Sequence, residues 1–263
     1  IVNSGTIESL SNATVATNGY PHAIDNMQGT LTINGGTVSN NTYSAIRIWC
    51  DTTGPSDVII NDGTINGAVD LHNTSNNPNI GSLTITDGTF NQTANVNVLR
   101  LVNFGNTLTY INATISGGTF NGGIGIAGTI KDPDYRGDVF SISGGTFSDL
   151  SAVKYAASGA DIDIVLGVDV ELNAPVTIRS GRTITLDLNG KTISQTKLQT
   201  EAYSMIRNDG TLTIMDSESN GKISYTDSGN GGEYVSDAIM NTGTLIVNSG
   251  TIESLSNATV ATN

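Results

Sequence analysis

The sequence predicts an all-β protein wound as a β-solenoid, on three observations. Thr, Asn, Ser and Gly supply 120 of the 263 residues, and these types are poor helix formers. A helical bundle is excluded on that ground. Apolar residues reach 37% and recur with a period of two, the spacing of a strand that buries one face. A short motif returns at spacings of 25 to 31 residues, with one gap of 45. Self-similarity at such a period is the signature of stacked repeats.

The motif reads apolar-x-apolar-x-x-Gly-Thr-apolar. It is seen in Leu31-Thr-Ile33-Asn-Gly-Gly36-Thr-Val38, Val58-Ile-Ile60-Asn-Asp-Gly63-Thr-Ile65, Leu83-Thr-Ile85-Thr-Asp-Gly88-Thr-Phe90 and Phe140-Ser-Ile142-Ser-Gly-Gly145-Thr-Phe147. Within a copy, alternate residues point one way, so Leu31, Ile33 and Val38 share a face. Two residues after each anchoring glycine stands Ile7, Val38, Ile65, Phe90, Phe120, Phe147, Ile223 or Ile252, with Ile193 serving in the Gly190 copy. Stacked copies would place these in one internal column. No copy can bury its own apolar row, but its neighbours can. The glycine is a corner residue, because a solenoid corner needs positive φ.

A second corner pattern precedes some copies: Ile24-Asp-Asn26, Ile206-Arg-Asn208 and Ile239-Met-Asn241. Asn26, Asn208 and Asn241 are expected in asparagine ladders, where stacked amides satisfy one another. The 45-residue gap holds the one helix candidate, 150–157 (LSAVKYAA), behind the capping pair Ser148-Asp149. Beyond it, 162–166 and 168–172 alternate as strands. The expected organisation is therefore β-solenoid coils over 1–147, a helical interruption or unit boundary over 148–160, and coils again over 161–263.

A longer repeat contains the short one. Residues 246–263 repeat 1–18 at all 18 positions, at an offset of 245. The expectation is a tandem array of 245-residue units, in which 246–263 begin the next unit. With about nine to ten coils at ~4.8 Å each, one unit would rise roughly 43–48 Å. The expected partners are identical units end to end, as a covalent tandem array or polymer.

The net charge of −13 repels phosphate backbones and anionic bilayers, so no nucleic-acid partner is expected. No apolar run approaches the ~20 residues that span a bilayer, so this segment is not expected to insert in a membrane. A single cysteine permits no internal disulfide.

The stretch Val176-Thr-Ile-Arg-Ser-Gly181-Arg-Thr-Ile-Thr-Leu-Asp-Leu-Asn189-Gly-Lys-Thr-Ile193 resembles the start of a right-handed parallel β-helix in bacterial cell-surface repeat proteins. The Gly-Gly-Thr-Phe corners resemble the same group, whose fold is pectin-lyase-like. The resemblance implies a right-handed parallel β-helix with three short sheets and an extracellular or cell-surface location. It does not imply enzyme activity, because many such proteins are adhesins or stalks.

Residues with chemistry to offer are few. Lys131-Asp132-Pro-Asp134-Tyr-Arg136-Gly-Asp138 reads as an insertion loop, and Asp132, Asp134 and Asp138 offer the carboxylate oxygens that calcium takes. The plainer reading is a solvated acidic loop. Asp216-Ser-Glu218-Ser-Asn220-Gly221 resembles the first half of an EF-hand loop, set against a plain corner. His22 and His72 fall in no metal-ligand spacing and read as surface residues. No cofactor is expected, calcium being the one alternative. No catalytic residue is assigned. Alternation in Ala45-Ile-Arg47-Ile-Trp49 points Arg47 and Trp49 outward, and Trp49, the one tryptophan, is the candidate for stacking on a sugar, set against burial in a lateral contact or packing under a loop. The leading functional expectation is a structural extracellular fibre or stalk that could present an adhesin. A glycan-binding adhesin is the alternative, and a polysaccharide lyase or hydrolase stands third.

Overall fold

The computed structural model describes residues 1–10, 21–50, 54–73, 81–92, 97–103, 112–128, 140–197, 203–228 and 236–256. Among the described residues it is an all-β chain with one large parallel sheet, two smaller ones and one short helix. That arrangement is consistent with a β-solenoid. The chain forms two compact units, one of Ile1–Phe147 with Tyr155–Ala157, the other of Ser148–Lys154 with Ser158–Asn263.

In the first unit the short repeats pair with one another in parallel, in register, and form three ladders. One ladder aligns Leu31, Val58, Leu83, Ala113 and Phe140, and two residues on, Ile33, Ile60, Ile85, Ile115 and Ile142. The second aligns Ile7, Val38, Ile65, Phe90, Phe120 and Phe147. The third aligns Ile24, Ile46, Val69, Leu99 and Ile124. From Val38 to Phe147 every member of the second ladder's column is at most 1% exposed. Its aromatic end stacks face to face, with ring centroids 4.6 Å apart for Phe90–Phe120 and 4.8 Å for Phe120–Phe147. Threonine after each glycine lies on the opposite face, as period-two alternation dictates.

The glycine corner has a steric cause. Gly36 sits at φ +83°, and a Cβ there would lie 2.6 Å from the Gly5 carbonyl oxygen of the preceding copy. Left-handed backbone and a close approach thus coincide at one residue, and only glycine satisfies both.

The second unit repeats the scheme. Ile162, Ile184, Leu212 and Leu245 align, as do Val170, Ile193, Ile223 and Ile252, and Val176, Ile206 and Ile239. The glycine-anchored residues therefore form one column in each unit. Ile193 takes its place in the second column despite its slipped spacing.

The expected helix over 150–157 is corrected. A 3₁₀ helix spans Leu150–Tyr155 only, opened by Asp149, whose Oδ1 accepts the Ser151 N–H at 2.8 Å. Ala156 instead bridges to Ile142, and the Ala157 N–H donates to the Ile142 carbonyl at 2.8 Å. Six residues provide too few hydrogen bonds to offset helix nucleation, and the neighbouring strand recaptures the chain. Among the described residues no helix is long and apolar enough to cross a membrane.

Candidate functional site

Two places carry more than stacking. The first is the segment that the chain contains twice. At its first occurrence, the strand Thr6–Ser9 pairs with the copy that follows it, Thr6 opposite Thr37 and Ile7 opposite Val38. The Val2 N–H donates to the Thr32 carbonyl at 2.8 Å, and the Val2 carbonyl accepts the Asn34 N–H at 2.7 Å. At its second occurrence the same sequence pairs with the copy that precedes it. Thr251–Ser256 lies against Lys222–Asp227, with Ile252 opposite Ile223. One sequence is thus bonded through one edge in the first unit and through the other edge in the second. The backbone is alike in both places, with Gly5 at φ +87° and Gly250 at φ +91°. At the second occurrence the apolar side chains remain open: Ile246 is 44% exposed, Val247 47% and Leu255 47%.

The second place is a polar cluster in the first unit, built on the third ladder. Its register aligns Asp25, Arg47, Asp70 and Arg100 across four strands, so charge alternates along the row. Both neighbouring pairs are bidentate. Arg47 Nε donates to Asp25 Oδ1 at 2.9 Å while Nη2 donates to Oδ2. Arg100 Nε donates to Asp70 Oδ1 at 2.9 Å and Nη2 to Oδ2 at 2.6 Å. The Ser44 hydroxyl also donates to Asp70 Oδ2, at 2.5 Å. The inner pair is buried and the outer pair only partly so. A buried charge pair stands only if its remaining sites are bonded, and here Ser44 and the Tyr43 ring, 4.3 Å from the Arg100 guanidinium carbon, supply that. Tyr43 is positioned by a turn in which buried Asn40 accepts the Thr42 and Tyr43 N–H groups through Oδ1 and donates to the Pro21 carbonyl.

Trp49 lies at the edge of this cluster, half-buried. The Arg47 guanidinium sits over its ring at 4.3 Å, and the His72 ring is tilted against it at 5.0 Å. Both histidines are half-buried, where the sequence reading placed them on the surface. Burial pushes His72 down to about 4 and also lowers His22, with the nearby Arg47 reinforcing both shifts. The His22 Nδ1 atom is buried without a hydrogen-bond partner. Isolated spacing in sequence concealed this grouping, because the four charged residues come from four separate short-repeat copies.

The acidic candidates fare differently. Asp132, Asp134 and Asp138 lie outside the described residues. The Asp216 carboxylate accepts the Gly190 N–H at 2.7 Å and the Gly221 N–H at 2.6 Å. Its oxygens staple two corners together, next to Ser219 and Asn220 at positive φ. Glu218 is exposed on the same corner. Asp187 works in the same way: burial opposes its charge, but the Ser217 and Asn189 N–H groups hold it below the ordinary carboxylate range. Among the described residues no group of three or more His, Cys, Asp or Glu side chains is placed to hold a metal ion.

Asn208 Nδ2 donates to Asn241 Oδ1 at 2.7 Å and to the Thr244 carbonyl at 2.8 Å. Asn26 Nδ2 donates instead to Ser56 Oγ at 2.7 Å. Two further amide ladders were not foreseen. One runs Asn3, Asn34, Asn61 at 2.9 and 2.8 Å, the other Asn66, Asn91, Asn121 at 2.9 and 2.8 Å. The second had a signal in the sequence, since each member follows a column residue directly.

Comparison with known proteins gives no matching family model, curated protein or solved structure.

Proposed function

We propose that the chain is a structural segment of an extracellular fibre or stalk, a right-handed parallel β-helix built from tandem 245-residue units. The observation that carries this reading is the duplicated strand. In the second unit Ile252 ends the column Val170–Ile193–Ile223–Ile252, and its twin Ile7 opens the column Ile7–Val38–Ile65–Phe90–Phe120–Phe147 in the first. Joined in series, the two columns become one without a gap. The mechanism is mechanical. Each copy satisfies its backbone on its neighbours, so stiffness comes from continuous hydrogen-bond ladders. Continuation covers strand edges that would otherwise invite wrong pairing. A negative, polar exterior opposes lateral clumping. The likeness of 176–193 to bacterial surface β-helices supports display outside the cell.

Denatured chain mass tests the proposal. A reducing gel or mass spectrum of the natural product should show a chain well above 27.2 kDa, larger by about 25 kDa for each added unit of 245 residues. A single species near 27 kDa sinks the array. Glycan binding is the second reading, favoured by half-buried Trp49 beside Arg47 and His72. A glycan array probed with the chain and with Trp49→Ala separates it from a purely structural role.

A further inference from the structure

We infer that the joint between successive long repeats is an uninterrupted rung of the ladder. In it, residues 246–256, which open the next repeat, take that repeat's strand Gly29–Cys50 as their second neighbour. Val247 stands opposite Ile33, Thr251 opposite Thr37 and Ile252 opposite Val38. The inference rests on the tandem reading and names the partner surface within it.

Three observations specify this register. The hydrogen bonds at the two occurrences use different backbone groups. Toward the following copy, Val2 uses its N–H and carbonyl, and Gly5 uses its carbonyl to accept the Thr37 N–H at 2.8 Å. Toward the preceding copy, the Asn248 N–H donates to the Ile214 carbonyl at 2.8 Å and the Thr251 N–H to the Gly221 carbonyl at 3.0 Å. A strand inside a parallel sheet bonds both neighbours through such complementary sets, so one copy of the segment can serve both edges with no group claimed twice. Corner shape agrees, because Gly5 and Gly250 hold the same left-handed conformation, and the Gly35-Gly36 corner fits over the first of them with no room for a Cβ. Side chains agree as well. Asn34 donates to Asn3 at 2.9 Å, and Asn248 is the residue that offers the same acceptor at the joint. Val247 and Ile252, 47% and 37% exposed, are the side chains that such a neighbour covers, as it does for their twins Val2 and Ile7.

The sharpest test is amide hydrogen exchange at residue resolution. It compares this 263-residue chain with one carrying two long repeats. In the longer chain the Val247 N–H at the joint acquires the Thr32 carbonyl of the second repeat, and its exchange should slow by about a hundredfold or more. The Asn248 N–H, bonded backward in both chains, is the internal control. Equal Val247 rates in the two chains would overturn the inference. A second measurement uses chemistry rather than protection. In the two-repeat chain with Cys50→Ala in both repeats, Glu253→Cys at the joint and Ser39→Cys in the second repeat should form a disulfide. Glu253→Cys with Asn66→Cys, one copy further on, should not. Equal yields from the two pairs would also overturn it. The two readings fail separately: a single-unit chain mass removes the natural array, whereas an unprotected Val247 in a true multi-unit chain removes this register alone.

Discussion

At the scale of residues, the described part of the first unit sets four charges in one row. Asp25, Arg47, Asp70 and Arg100 satisfy one another, and both histidines are held neutral beside them. The linkage has a definite sign. A histidine whose folded pKa lies below its unfolded value binds its proton more readily when unfolded. Stability from His22 and His72 is therefore fully present above about pH 6.5. It drains away as the pH falls toward the folded value, about 4 for His72. The groups facing them are Arg47, Asp25, Asp70 and Arg100, and a new positive charge meets two guanidiniums there. Urea midpoints should drop between pH 7.5 and 4.5, and His22→Gln with His72→Gln should flatten that drop. Below that window the depressed Asp187 takes over: its contribution is present above its unfolded value and is lost as the pH falls through the folded one. An unchanged slope in the histidine double variant would place the acid sensitivity elsewhere.

At the scale of elements, the unit of stabilisation is the column, not the strand. Strands as short as Thr119–Asn121 could not stand alone. Phe120 is enclosed above and below by Phe90 and Phe147. Phe120→Ala would remove both stacks and leave a cavity, at a cost of about 3–5 kcal/mol. Chemical denaturation should read this as a lower midpoint. A change below about 1 kcal/mol would mean that the column collapses to fill the gap. The alternation and the glycine spacing made these columns legible, because period two and the repeat length together determine which residues face inward and which stack. The 150–157 segment is helical over Leu150–Tyr155 only, for a reason that is not local. Its composition favours a helix, but Ile142 offers Ala156 a strand partner that no local rule can see.

At the scale of the whole molecule, repeat proteins gain stability from each interface added. Covering Val247 and Ile252 with a following repeat recovers burial at two side chains now partly open. A two-repeat chain should therefore melt about 5–10 °C above the 263-residue chain, given the usual transfer energies and size scaling. Calorimetry on both chains checks this. Identical melting temperatures would mean that the long repeats fold without supporting each other.

The strand-rich class, the inward-facing residues, the corner glycines and the 245-residue duplication are all legible in the string of residues. All of these follow from periodicity and local backbone preference, which a one-dimensional string records directly. Only the tertiary structure decided which charges meet. Asp25, Arg47, Asp70 and Arg100 are 22, 23 and 30 residues apart in succession, and only the register between copies sets them in a row. It also decided that the duplicated strand is bonded through opposite edges in its two settings. A strand's edge is used or left open by its neighbours, and neighbours belong to the fold rather than to the strand.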